Sequence, residues 1–421
     1  MRYLTLIMLF AVFASPARAQ MGDPDADRAA VEAEESAAIG ATIIRSIADA
    51  QALPEDVTAV YSLSKLDDAV LLELKKRESL KVLHFSLWSS ANAWITDSSL
   101  KLISSYPSLE SLTIVIQSNY SGVGVSSLAA LKQLKVLKLT GHSTPLDAKD
   151  LEDFSKHPAL QELEVTVNLS SDLIKNLTKI PGLVTLKLTV RAPGKDPLKG
   201  IDKCKKLEVL TLCDGVLPAE ALEELKKAKS LKSLRLEGRI LKEWNATAFE
   251  AIGELKGLER LELAPTNSQN SFTAKELKEL HNLKDLAHLG IESDFSQALT
   301  LELLKDLLGG FENLTSLGIS HRYDLDMDVV LALAVPEKLR QLTFRCGKIS
   351  DDSFKSVLES CTGLESLDIH ADGLSEAAFE GAIKAATALK ELSYYESGRA
   401  LFRAAERLKT DRPDLEIRRI G

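Results

Sequence analysis

Leu-x-x-Leu-x-Leu recurs along most of this chain, and no other feature limits its possible folds so tightly. The segments read LKVLHF at 80, LESLTI at 109, LKVLKL at 134, LQELEV at 160, LVTLKL at 183, LEVLTL at 207 and LKSLRL at 231. They continue with LERLEL at 258, LAHLGI at 286, LTSLGI at 314, LRQLTF at 339, LESLDI at 364 and LKELSY at 389, thirteen copies spaced by 23 to 29 residues. Weaker copies, VTAVYS at 57 and LEIRRI at 415, flank them. Leucines at alternate positions put one face of a short strand into a core and leave the intervening residues facing solvent. One such unit cannot bury its apolar face alone, so neighbours must stack into a single parallel sheet.

A second pattern fills the intervals. LDAKDLEDFSKHPAL, VLPAEALEELKKAKSL, FTAKELKELHNLKDL, ISDDSFKSVLESCTGL and LSEAAFEGAIKAATAL each open with an apolar residue and a helix-start signal. Those signals are Asp147, Pro218, Thr273 with Glu276 as a capping box, Ser350 and Ser375. Apolar residues then return at helical spacing, as at Leu222 and Leu225, Leu277 and Leu280, and Phe379 and Ile383. Each repeat is therefore predicted to be a strand followed by a helix.

Motif and period together resemble the leucine-rich-repeat family. The resemblance covers roughly residues 54–421. It implies an α/β solenoid, a horseshoe with a continuous parallel concave sheet and convex helices, and the long repeats are similar to the ribonuclease-inhibitor branch. Thirteen strands at about 4.8 Å give an inner surface on the order of 60 Å long. The Asn that the family usually places three residues after the last core Leu occurs only at Asn168. Cys204 and Cys361, each three residues before a repeat's first Leu, resemble the buried Cys of the cysteine-containing subtype. Cys213 falls on the concave face and Cys346 at its edge, several rungs apart, too far for a disulfide.

The ends carry other signals. Residues 1–19 read as a secretory signal peptide: Arg2, an apolar run from Leu4 to Ala14, and Ala17-Arg18-Ala19 before the cut. An exported protein, periplasmic or extracellular, is the expectation, with no transmembrane segment. Residues 20–53 are acidic and then helical in pattern at Val31, Ile39, Ile43 and Ile47, which predicts a disordered start and a capping helix before the solenoid of 54–421. Leu401, Ala405 and Leu408 predict a last helix before a final short strand. Removing Arg2 and Arg18 takes the net charge from −9 to −9 − 2 = −11, which disfavours nucleic acid as a partner. Trp88 and Trp94 flank an oversized first full repeat, as an exposed aromatic patch or a core repacked around a long loop. Sequons occur at Asn119, Asn168, Asn176, Asn245 and Asn313.

Register then assigns the exposed face. The residue between the last two core positions gives a central column: His84, Thr113, Lys138, Glu164, Lys187, Thr211, Arg235, Glu262, Gly290, Gly318, Thr343, Asp368, Ser393. Charges alternate from Lys138 to Glu262, as a solvated sheet face requires. Two residues on, the column begins as a Thr ladder and ends Glu292, Ser320, Arg345, His370, Tyr395. Gly290 and Gly318 leave a bare patch, a feature that suits close approach by another group. His288, Gly290, Glu292, Gly318, His321, Arg345, Asp368, His370 and Tyr395 are the candidate ligand- or partner-binding residues.

The Asp368-x-His370-x-Asp372 run is one rung of that ladder. His288, His321 and His370 are read as falling on non-adjacent rungs and in different columns, which disfavours a converging zinc shell. No nucleophile elbow, His-Glu-x-x-His, phosphate loop or dinucleotide fingerprint occurs, so no catalytic residues, metal or cofactor are assigned. The expected function is a non-enzymatic interaction scaffold that binds a protein or peptide on the concave face. Two alternatives stand beside it: a carbohydrate- or small-ligand-binding protein or hydrolase using the C-terminal concave patch, and an architectural envelope protein. The sequence sets no oligomeric state.

Overall fold

The computed structural model describes residues 36–62, 67–86, 95–142, 144–265, 278–293, 310–321, 338–346, 350–370, 372–396 and 401–420. The signal peptide, Trp88, Trp94, Thr273 and Glu276 lie outside the described residues.

Every Leu-x-x-Leu-x-Leu segment forms a strand, and so do both weaker copies. In chain order the strands are β1 (Thr42–Ile43), β2 (Ala59–Ser62), β3 (Val82–Ser86), β4 (Ser111–Ser118), β5 (Val136–His142) and β6 (Glu162–Leu169). Next come β7 (Thr185–Pro193), β8 (Val209–Cys213), β9 (Ser233–Gly238), β10 (Arg260–Pro265) and β11 (His288–Ser293). The last are β12 (Ser316–His321), β13 (Gln341–Cys346), β14 (Ser366–His370), β15 (Glu391–Tyr395) and β16 (Glu416–Arg419). They form one sheet of 16 strands in sequence order, and neighbouring strands run parallel. The core leucines stay in line across it: Leu210 opposes Leu234, and Leu289 opposes Leu317, which opposes Leu342. From Leu83 to Leu392 these central leucines are at most 1% exposed, each contributing roughly 2 kcal/mol of burial.

Helices and turns cover the leucine side. Packed helices need about 8–10 Å each and strands about 4.8 Å, so the helical layer is the longer, convex one and the sheet is concave. The connections differ in kind from the uniform α-helices expected. Asp351–Ser360 and Glu376–Ala385 are α-helices, capped as predicted: Ser350 Oγ accepts from Ser353 N at 3.1 Å and Ser375 Oγ from Ala378 N at 3.2 Å. The stretches Glu152–Phe154, Ala219–Lys227 and Lys278–Asn282 are 3-10 helices. In Ala219–Lys227 three of the four buried residues, Ala219, Leu222 and Leu225, recur at steps of three, the period of a 3-10 turn, with Ala221 beside them, whereas Phe379, Ala382 and Ile383 mix threes and fours.

The N-terminal cap departs further. The pattern at Ile39, Ile43 and Ile47 predicts one helix, yet Ile43 lies in β1 opposite Tyr61. Gly40 has a φ of +61° and breaks the chain direction, and Ser46 starts a separate short helix, Ile47–Ala52. At the other end the helix Phe402–Asp411 buries Ala405 and Leu408, with Leu401 just before it, and leads into β16. Asn168 makes no buried ladder; its Nδ2 donates to Asp147 Oδ1 at 2.9 Å near the surface. Cys204, Cys213 and Cys361 are free and buried, while the Cys346 side chain lies outside the described residues. Among the described residues no helix is long and apolar enough to cross a membrane.

Candidate functional site

The concave face is built by register. Glu262 opposes Gly290, Gly290 opposes Gly318, Gly318 opposes Thr343, and Thr343 opposes Asp368. On one side of that column stand His288, Ser316 and Gln341; on the other stand Glu292, Ser320 and Arg345. The two glycines are unlike. A Cβ on Gly290 would lie 3.1 Å from Glu262 Cγ and 3.4 Å from His288 Nε2, so neighbouring side chains already fill that place. A Cβ on Gly318 would meet nothing nearer than Gly290 Cα at 3.7 Å, Thr343 Cβ at 3.9 Å and Leu289 O at 4.0 Å. The bare patch expected over both glycines therefore narrows to Gly318.

Two clusters flank it. On the β9–β12 side Arg235 is the hub: Nε donates to Glu237 Oε2 at 2.9 Å, Nη1 pairs with Glu262, and Glu292 Oε1 stands 3.6 Å away. Arg260 also holds Glu262, its Nε at 2.7 Å from Oε1. Burial opposes ionisation of Glu262, but His288, Arg260 and Arg235 outweigh it and hold the carboxyl well below the usual range. Burial pushes the Glu292 carboxyl up against the pull of Arg235, with Glu262 and Glu237 adding to the rise. His288 Nδ1 is 2.7 Å from Ser316 Oγ, and burial lowers the ring's basicity.

On the β13–β15 side Arg345 grips Asp368 in a fork: Nε to Oδ1 at 3.1 Å and Nη2 to Oδ2 at 2.5 Å. His370 turns from Asp368 to other neighbours. Its ring lies 4.5 Å from that of Tyr395, edge-on, and its Nε2 is 3.5 Å from Asp372 Oδ2. Burial lowers its basicity, against Asp372 and with Arg345. Tyr395 is 39% exposed and offers an accessible ring face. Asp368 and His370 thus serve different partners and form no dyad.

His288 and His321 lie on adjacent strands, contrary to the sequence expectation, but His321 opposes Ser293, five residues from His288. The His321 side chain lies outside the described residues. Among the described residues no group of three His, Cys, Asp or Glu side chains could hold a metal. A groove of about 680 Å³ between the helices Asp351–Ser360 and Glu376–Ala385 lies on the convex layer, away from this face.

The alternating column reads Arg235 and Glu262 as a solvated ladder, and neither Glu237 nor Arg260 stands out as a site residue in the sequence. The signal available was Arg235 beside Glu262 in one column with Arg260 two residues before Glu262.

A parallel sheet with one repeat per strand, leucines inside and helices outside defines a leucine-rich-repeat solenoid. No protein-family model matches the chain, and no curated protein does. Among solved structures it is similar to a leucine-rich-repeat protein of Leptospira interrogans, at 17% identity over 87% of this chain and 92% of that one, TM-score 0.40. It is also similar to the leucine-rich-repeat ectodomain of the Arabidopsis thaliana receptor kinase GASSHO1/SCHENGEN3, solved with Casparian strip integrity factor 2. That match has 17% identity over 80% of this chain and 41% of that one, TM-score 0.36. A chain of the yeast Rad7 and Elc1 complex matches at 14% identity over 99% of this chain and 92% of that one, TM-score 0.49.

Proposed function

We propose that this chain is an exported, non-enzymatic scaffold with ribonuclease-inhibitor-like long repeats, and that it binds a protein or peptide partner on its concave face. The observation that carries the reading is the sheet itself: 16 strands in sequence order give one extended face. Extended solenoid faces suit macromolecular partners because contacts can be spread over many rungs. The side chains on the face are committed to each other as ion pairs and ring contacts, which preorganises them for docking.

The test uses residues 20–421 as immobilised bait in the secreted and envelope fraction of the source organism. A second bait carries Arg345→Ala, Asp368→Ala and His370→Ala, and a third carries Lys227→Ala on the convex layer. Capture by the first and third baits but not the second supports the reading. Equal capture by all three, or no partner at all, rules it out.

One observation favours a second reading. The accessible Tyr395 ring beside His370, one strand from the Arg345–Asp368 fork, is an aromatic platform next to planar hydrogen-bonding groups, an arrangement that suits a sugar ring. Quenching of tyrosine fluorescence by soluble oligosaccharides, absent in Tyr395→Ala, would establish it.

A further inference from the structure

We infer that copies of this chain join head to tail, the C-terminal end of one solenoid docking on the N-terminal end of the next. The surface lies at the ends of the stack and is separate from the concave face of the scaffold reading.

The C-terminal end leaves the place of a further repeat open. In the helix Phe402–Asp411, Arg407 holds Glu376 and Glu380 of the preceding helix, and Asp411 holds Lys384. At 3.6 residues per turn, Phe402 and Lys409 lie on the opposite flank, where the helix of another repeat would pack. Phe402 is 48% exposed there. In β16, Ile417 continues the line of central leucines opposite Leu392, yet it is only partly buried, because among the described residues nothing stacks beyond it. Glu416 N donates to Lys390 O and Ile420 N to Tyr394 O, both toward β15, so by alternation the N–H and C=O of Ile417 point to the outer edge.

The N-terminal end offers a matching edge. Ile44 N donates to Tyr61 O, so the N–H and C=O of Ile43 point away from β2, and Thr42, in line with Val60 and Leu83, is exposed. Neighbouring strands in the sheet run parallel, and a second copy that continues the stack sets its β1 parallel beside β16 of the first. A two-fold contact between like ends would instead set the two edges antiparallel.

Charge chooses between these arrangements. Residues 401–420 carry six Lys and Arg against four Asp and Glu, so 6 − 4 = +2 in a chain of net −9. Residues 36–62 carry Arg45 against Asp49, Glu55 and Asp56, so 1 − 3 = −2, and residues 20–35 add 1 − 6 = −5. Opposite ends attract and like ends repel, which favours head-to-tail joining and opposes either two-fold contact. Charged end caps also keep solenoids and sheet edges from aggregating. Caps with that role alone would share one sign, whereas these differ in sign and one of them exposes Phe402.

The test is sedimentation velocity on residues 20–421. The native chain should rise in mean mass with concentration, without stopping at a dimer, and return to the monomer in about 0.5 M salt. One variant blocks the N-terminal end, Glu55→Lys with Asp56→Lys; another blocks the C-terminal end, Phe402→Asp with Arg403→Glu. Each alone should be monomeric, and an equal mixture should form one-to-one dimers through the two ends left intact.

A native chain that stays monomeric at low salt and high concentration overturns the inference. So does association that ignores salt, a blocked variant that still associates alone, or a mixture that stays monomeric. If Phe402→Asp fails to fold, Arg403→Glu with Lys409→Glu takes its place. Capture on the concave face can succeed or fail without changing these masses, so the end contact and the scaffold reading are judged separately.

Discussion

Lys81 Nζ stands 3.1 Å from the carboxylate of Glu110, one strand away, and Lys135 grips the same carboxylate from the strand beyond. These residues occupy the position after each repeat's first Leu, where backbone bonds also step from strand to strand: Glu110 N donates to Lys81 O at 2.8 Å and Lys135 N to Glu110 O at 2.7 Å. The pattern returns as Lys232 with Glu259 and as Arg340 and Lys390 on either side of Glu365. Alternating charge at the strand entries thus accompanies the register that the leucines set.

Reversing one member of this column tests its contribution. Glu110→Lys would put three ammonium groups on consecutive strands, and the side-chain hydrogen bonds from Lys135 and Lys81 that hold the Glu110 carboxyl low would be lost. Thermal melting should fall by a few degrees at low salt and recover part of that loss at high salt. An unchanged melting temperature at low salt would show that the leucine ladder alone holds register here.

The thiols give a second check. Burial raises the thiols of Cys204 and Cys213 to about 12 and that of Cys361 to about 11, so almost no thiolate exists near neutrality. Nearby acids add to the rise at Cys204 and Cys213, and at Cys213 Lys187 and Arg235 oppose it. In the folded protein these three should react with a disulfide reagent only as fast as the chain opens, and fully in urea. Rapid labelling of any of them in native buffer, located by peptide mapping, would contradict the described burial.

The strand columns were legible because side chains in a strand alternate with period two and the leucines mark one phase. Once Leu289 and Leu317 are inward, Gly290 and Gly318 must share the opposite face. What the sequence left dark depends on side-chain conformation. Nothing in the string says that Glu262 folds over Gly290 while Gly318 stays open, or that His370 turns to Tyr395 and Asp372 rather than Asp368. The connections were half legible: serine caps at Ser350 and Ser375 marked true helices, but Pro218 introduced a 3-10 helix. Helical start signals are local, and the space between neighbouring repeats decides the pitch.

Backbone strain after β8 supports a stabilising substitution. Asp214, Gly215 and Val216 have φ values of 55°, 98° and 49°, and Val216 is a branched residue in the left-handed region with 48% of its surface exposed. Its N–H still donates to Arg239 O at 2.8 Å. Val216→Gly keeps that donor, removes the steric cost and loses little burial. The urea midpoint should rise, by about 1 kcal/mol in stability. A lower midpoint would mean that the valine side chain contributes more through packing than its backbone costs.

His84 predicts how the fold responds to acid. Its ring lies 4.7 Å from that of Tyr61, its Nε2 is buried without a hydrogen-bond partner among the described residues, and burial aided by Lys138 lowers its pKa from 6.5 to about 4. Above the ordinary value the ring is neutral in both folded and unfolded chains and has no effect on pH dependence. As pH falls, the unfolded chain takes up the proton first, so stability drains between 6.5 and about 4. Protonation of this group alone can cost on the order of 3 kcal/mol. Glu292, whose carboxyl is raised by burial, works in the opposite sense: its contribution is present below its unfolded pKa and is lost as pH rises through the folded one. The informative quantity is therefore the difference between the native chain and His84→Gln, which removes only the His84 titration. Urea midpoints near about pH 7 and about pH 5 should separate the two, with the native chain losing more on acidification. Equal losses would mean that His84 titrates as a solvated histidine and that the N-terminal end of the concave face is open to water.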